Sequence, residues 1–231
     1  EMCIRDRFYG LNVENGRIFD GGDLRLKTGL LEICREFGFP IRLTAHQSLI
    51  FADVAPSQRE PLEALLRKHG IRTSEQYSQV RRWSMACVAW PTCGLAITES
   101  ERALPGMMDE FEPMLESLGL QDEQFTVRMT GCPNGCARPY NADIGIVGKA
   151  KDRYTVYLGG GLLGMRLGFI YKDLVSRETL IDELRGVFTC YRETRETGES
   201  FGDYCHRIGR LGLLEATGSE VPAEVAAEES E

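Results

Sequence analysis

Two pairs of cysteines constrain this chain more than any other feature. In "MACVAWPTCGLA", Cys87 and Cys93 form a C-x5-C pair; in "TGCPNGCARP", Cys132 and Cys136 form a C-x3-C pair, with thirty-eight residues between the two. Glycine and proline surround both, so each pair belongs to a loop and not to the interior of a helix or strand. The fold must place sulfur on two turn-rich segments that lie far apart in sequence. A disulfide, a zinc ion, a redox pair and an iron–sulfur cluster are the chemistries that use sulfur so placed.

The rest of the chain weighs these alternatives. Eight cysteines, at positions 3, 34, 87, 93, 132, 136, 190 and 205, occur in 231 residues with no visible secretion signal. Disulfide frameworks belong to small secreted domains, so a reducing compartment, the cytoplasm, is the expectation. Zinc ribbons favour C-x2-4-C spacing and histidine partners. The three histidines, His46, His69 and His206, stand beside neither pair. A thioredoxin-type C-x-x-C is absent. Four thiolates in two loops suit an iron–sulfur cluster, of another class than ferredoxin-type clusters, which crowd three cysteines into one run. Pro91 and Pro133 stiffen the loops. Gly94, Gly131 and Gly135 allow close backbone approach, and freed N–H groups can bond to cluster sulfur.

Charge and hydropathy narrow the partners. A net charge of −8 argues against bulk nucleic-acid binding, and no apolar run reaches the length of a membrane span. The last seventeen residues, 215–231, hold six Glu and no Lys or Arg, and read as a solvated, disordered tail. From Arg128 to Lys172 the sign reverses: Arg128, Arg138, Lys149, Lys151, Arg153, Arg166 and Lys172 face only Asp143 and Asp152, a local +5.

Hydrophobic periodicity gives an α+β organisation. "FYGLNV", "IRLTA" and "SLIFADV" read as strands. "LKTGLLEICREFG" reads as a helix with Leu26, Leu30, Ile33, Cys34 and Phe37 inward, so Cys34 is expected as a buried core thiol. Ser57 with Glu60 suggests a capping box opening a second helix that ends at Gly70. Residues 72–84 read as a polar linker. Beyond them come a helix around "MMDEFEPMLESLG", with Pro113 near a bend or boundary; three strands, "FTVRM", "ADIGIVG" and "YTVYLGG"; and a helix over 179–195. The first seven residues do not blend into the strand-like run after them and read as foreign, so Cys3 is given no role.

The C-x5-C pair, the gap and "TGCPNGCARP" together resemble the sulfite reductase hemoprotein family. Further likeness lies in "GIVGKAKDRYTVYLGGG", "ESFGDYCHRIG", "ENGRI", "LKTGLLEI" and "TAHQSLIFADV", covering about 8–214. The resemblance implies a 4Fe-4S cluster on Cys87, Cys93, Cys132 and Cys136, with Cys136 also the axial ligand of a siroheme and Asn134 and Arg138 beside the cofactors. It implies reduction of sulfite to sulfide, with electrons from a flavoprotein subunit or a ferredoxin, and siroheme carboxylates as partners for the basic stretch. The corresponding domains are a partial ferredoxin-like half-domain, 8–74, and an α/β siroheme and 4Fe-4S binding domain, 75–214, between the foreign start, 1–7, and the tail, 215–231. Related nitrite reductases typically carry CPNSC, so Gly135 and Arg138 favour sulfite. Nitrite reduction, or electron transfer by a cluster without siroheme, are the alternatives. Trp90 and His46 depart from the family pattern. Family members are about twice as long, so the sequence is expected to be a C-terminal half, inactive alone, with much of the sulfite-gripping basic cluster in the other half.

Overall fold

The computed structural model describes residues 7–228; of the start expected to be foreign, 1–7, Arg7 is described and residues 1–6, with Cys3, lie outside. The chain divides into two compact units between Ser78 and Gln79. Among the described residues no helix is long and apolar enough to cross a membrane.

In the first unit, β1 (Phe8–Leu11), β2 (Asp20–Gly21) and β3 (Leu24–Arg25) precede α1 (Leu26–Phe37), β4 (Ile41–Leu43), β5 (Leu49–Ala52) and α2 (Pro56–Lys68). β5 is the central strand of an antiparallel sheet ordered β1-β5-β4. It buries alternate residues, Leu49 and Phe51, as a half-covered strand does. Leu26, Leu30 and Ile33 of α1 share this core with Leu62, Leu65 and Leu66 of α2. Cys34, expected inside, is exposed. At 3.6 residues per turn it lies about 80° from the centre of the buried stripe, on its solvent edge. The capping box expected from Ser57 and Glu60 is also displaced. Pro56 takes the first helical position, which suits its fixed φ and missing N–H. That places Gln58 where its side chain accepts from the Ala55 N–H at 2.9 Å.

The second unit contains α3 (Gln79–Arg82), β6 (Ser84–Ala86), α4 (Leu104–Ser117), β7 (Val127–Thr130), β8 (Ile144–Ala150), β9 (Arg153–Leu158), β10 (Phe169–Ser176), α5 (Leu180–Thr194), α6 (Phe201–Ala216) and α7 (Ala223–Glu228). Its mixed sheet is ordered β10-β9-β8-β7-β6. β6, β7 and β8 run parallel, while β9 and β10 return antiparallel. A parallel pair needs a crossover, usually a helix. α4 supplies it between β6 and β7. Between β7 and β8 the crossover is the C-x3-C segment itself, residues 131–143, whose regular structure is one short turn, Pro139–Asn141. Asp143 anchors its far end: one carboxylate oxygen accepts from Thr126 N at 2.9 Å and Thr126 Oγ1 at 2.6 Å.

The larger core is aromatic. Phe188 stacks on Phe201 with centroids 4.1 Å apart and meets Phe111 edge-on at 5.5 Å. Several sequence expectations shift here. The linker expected over 72–84 is divided between the units: Ser74 Oγ donates to Gly10 O at 2.8 Å in the first, and buried Arg81 reaches Asp109 at 2.6 Å and Glu112 at 2.9 Å in the second. Pro113 lies inside α4 and not at its boundary. The tail expected to be solvated forms α7 in part and buries Val225 against the core. Apolar groups spaced at Val221 and Val225 were outweighed in the composition by glutamate.

Truncating Phe188 removes a fully buried ring at the meeting point of α4, α5 and α6. Phe188→Ala is expected to destabilise the second unit by about 3–5 kcal/mol in urea unfolding; a change under about 0.5 kcal/mol would contradict this packing.

Candidate metal centre

The two cysteine loops leave the sheet side by side because β6 and β7 are adjacent and parallel. Carboxyl ends of parallel strands are where α/β sheets place their binding crevices. Ala86 is in register with Met129, and Cys87 N continues the ladder by donating to Met129 O at 3.0 Å. The first loop then closes on itself: Cys93 N donates to Ala89 O at 2.8 Å, and Trp90 Nε1 donates to Ala96 O at 2.8 Å.

Gly131 joins the loops. Its N–H donates to Cys87 Sγ at 3.3 Å. Its carbonyl accepts from Ile97 N at 2.8 Å and Thr98 N at 3.1 Å. A Cβ here would stand 2.5 Å from Thr98 O and 2.7 Å from the Ala89 Cβ, so only glycine admits this approach. Cys132 follows directly and is buried, Cys87 and Cys93 are half-buried, and Cys136 is exposed. None of the four is in a disulfide.

Beyond Cys132 the chain turns through Gly135, at φ 66°, and Arg138, at φ 55°. Arg138 N donates to Gly135 O at 2.7 Å. Asn134 and the Arg138 side chain are exposed on this turn. Beneath it, the buried Arg128 donates through Nη1 to Asn141 Oδ1 at 2.7 Å and Arg138 O at 3.2 Å. Burial pulls the Arg128 guanidinium pKa down, neighbouring Arg138 adds to that, and Asp143 opposes it. Two buried polar atoms beside the loops, Arg128 Nε and Thr130 Oγ1, have no hydrogen-bond partner. Tyr140 donates its hydroxyl to Pro133 O at 2.5 Å. Burial, then Tyr157 and Cys132, pushes its phenol pKa up, so it remains a donor at neutral pH.

Four free thiols on two stitched loops, with the Gly131 N–H aimed at the Cys87 sulfur, fit a cluster chemically. Among the described residues no three His, Cys, Asp or Glu side chains close on one point as a single ion requires. A 4Fe-4S cluster distributes its four thiolates over separate corners, which suits neighbouring loops. The other cysteines lie elsewhere: Cys34 on α1, Cys190 on α5, and Cys205 within α6, fully buried. Burial, then Asp143 and Glu199, pushes the Cys205 thiol well above its ordinary range.

The basic stretch is not one patch. Lys172 pairs with Glu183 at 2.5 Å, Lys149 with Asp173 at 3.6 Å, and Arg166 with Asp203 at 2.8 Å. Arg166 also donates to Gly159 O at 2.7 Å and Gly160 O at 2.9 Å. Lys151, on the β8–β9 turn, and Arg153, at the start of β9, are exposed. Trp90, read as a departure, closes the first loop. Tyr140 and the buried Arg128 were missed as parts of the loop's support. Tyr140 stands two residues past "CPNGCAR", close enough to be found by asking what fills the space beside Gly135. The cleft of about 310 Å³ in the first unit, lined by Val13, Asn15, Thr44, Gln47 and Ser48 among others, contains none of the cysteines.

The family model described as "Nitrite and sulphite reductase 4Fe-4S domain" matches residues 78–225. The chain belongs to the nitrite and sulphite reductase family. Residues 5–69 match the nitrite/sulfite reductase ferredoxin-like half domain. Among this family's curated members, the sulfite reductase (NADPH) hemoprotein beta-component of Staphylococcus haemolyticus is 44% identical over 201 residues, 87% of this chain and 35% of that protein. The sulfite reductase (ferredoxin) of Synechococcus elongatus is 46% identical over 202 residues, 87% of this chain and 32% of that protein. The chain thus spans about a third of the length of these curated relatives. The solved structure of Mycobacterium tuberculosis NirA aligns with a TM-score of 0.66 at 28% identity, covering 80% of this chain and 36% of that one. Dissimilatory sulfite reductase I shares the fold, with a TM-score of 0.71 at 11% identity over 95% of this chain and 70% of that one.

Thiol exposure gives a direct check. With a maleimide reagent on the native metal-free protein, mass spectrometry should find Cys34 and Cys136 labelled first. Cys205 should react only on unfolding, because its site is closed to reagent and its thiol stays protonated. Labelling of Cys205 as fast as Cys34 would contradict the aromatic core around α6.

Proposed function

We propose that this chain is the cofactor-holding part of an assimilatory sulfite reductase. Cys87, Cys93, Cys132 and Cys136 would hold a 4Fe-4S cluster, and the Cys136 sulfur would also hold a siroheme. The observation that carries this reading is the Gly131 junction, which sets one cysteine loop against the other and leaves Cys136 the exposed member of the four. When bound, the coupled cofactors supply single electrons and a metal that can bind sulfur oxyanions.

The protein's own residues do the rest. Cys132, buried, excludes water from the inner side, while Cys136 can present sulfur outward to a second group. The Gly131 N–H on Cys87 Sγ stabilises negative charge on that sulfur, a contact of the kind that tunes cluster potential. Asn134 and Arg138 flank Cys136 on the exposed face. From there a guanidinium can pair with a carboxylate of the macrocycle or with the oxyanion substrate. Arg128 fixes the backbone from which Arg138 projects. The substrate is sulfite, and the donor is a flavoprotein subunit or a ferredoxin, since relatives named for both NADPH and ferredoxin resemble the chain equally. We place the reaction in the cytoplasm, in sulfate assimilation toward cysteine. Domain limits of 8–74 and 75–214 serve this reading.

The reading is tested on the full-length protein. Cys136→Ser replaces a soft thiolate with a hard oxygen, and should abolish sulfite reduction and the cluster–siroheme coupling seen by electron paramagnetic resonance. Cys132→Ser should lower iron content while any siroheme retained keeps a proximal sulfur signature. A coupled signal that survives in Cys136→Ser and disappears in Cys132→Ser would assign the bridge to the other cysteine. Preferential turnover of nitrite would favour a nitrite reductase, and an absorption spectrum without siroheme bands an electron-transfer role.

A further inference from the structure

We propose that Tyr140 is a positioning residue for the cluster, setting the shape of the Cys132–Cys136 turn and so the direction in which Cys136 presents its sulfur. The inference rests on the reading of the four cysteines as cluster ligands. The turn has little hold of its own. Its internal contact, Gly135 N to Cys132 O, is 3.5 Å long, at the limit of a hydrogen bond. Pro133 has no N–H to offer, and its carbonyl is taken by the Tyr140 hydroxyl at 2.5 Å.

The ring acts as well as the hydroxyl. A Cβ at Gly135 would stand 2.6 Å from Tyr140 Cε2 and 3.2 Å from Cδ2, so the ring fills the space a side chain at 135 would need. Tyr157, on β9, holds the ring edge-on at 5.1 Å and 86°. Arg128, on β7, holds the Arg138 carbonyl on one side of it and the Asn141 side chain, through Oδ1, on the other. The turn is thereby braced from two strands of the sheet. Any group at 135 larger than hydrogen must displace Tyr140, as well as accept a φ of 66° that side chains rarely adopt.

The test compares wild type, Tyr140→Phe, Tyr140→Leu, Gly135→Ser and the Gly135→Ser/Tyr140→Leu double variant in the full-length protein. The readouts are cluster g values, cluster midpoint potential, iron loss to a chelator, and the thermal unfolding midpoint. Tyr140→Phe keeps the ring and should retain normal iron with shifted g values and potential. Tyr140→Leu should lose iron about tenfold faster, as loss of an outer support of a metal site does, with an unfolding midpoint close to wild type. Gly135→Ser should also lose iron faster, and the double variant should show less than the product of the two single effects. Wild-type g values, potential and chelator rate in Tyr140→Leu would overturn the proposal, as would independent, multiplying effects at 135 and 140. If the wild type itself assembles no four-iron cluster, the reading of the cysteines falls, and the role of Tyr140 with it.

Discussion

The structure turns on one residue. Gly131 gives its N–H to the Cys87 sulfur and its carbonyl to the amides of Ile97 and Thr98. Both backbone polar groups of that residue are thus committed to the other cysteine loop. Two segments separated by thirty-eight residues in sequence become one surface through it. Hydrogen bonds of this kind add only about 1 kcal/mol each to stability. Their value here lies in register, because they set where the sulfurs can stand relative to one another.

The sheet and its core keep that residue in place. β6 and β7 are held parallel by the α4 crossover, and α4 is fixed by Phe111 against Phe125 and Phe188. The second crossover has no helix, so its path depends on what lies under it. Arg128 holds the carbonyl of Arg138 and the side chain of Asn141, while Asp143 holds Thr126. A buried guanidinium with one unpartnered nitrogen is costly in a fold that needed only packing. It is understandable where a loop without a helix must be held to one path.

Much of this was legible in the sequence, and the failures are instructive. The C-x5-C and C-x3-C spacing, with Gly131 and Pro133, pointed to paired loops because few other arrangements need glycine beside sulfur. β5 and α1 followed from their periods of two and 3.6. Cys34 was misread since its spacing satisfies the helical pattern while its angle falls on the stripe's edge. The Ser57–Glu60 box gave way to Gln58 because Pro56 started the helix earlier than the motif assumed. β6 is three residues long and α6 is interrupted at Gly209, so neither shows a sustained period. The local +5 is a sum along the sequence, and that sum does not reveal that Lys172 and Arg166 find acids on α5 and α6.

The central claim is that both loops serve a single cluster. Mössbauer spectroscopy of the iron-loaded full-length protein, recorded beside Gly131→Ala, tests it most directly. The wild type should show the signature of one 4Fe-4S centre. In Gly131→Ala, the added methyl drives the loops apart at Thr98 O and Ala89, and that signature should be lost or severely reduced. Separate mononuclear iron–thiolate signals in the wild type, or an unchanged four-iron signature in Gly131→Ala, would contradict it.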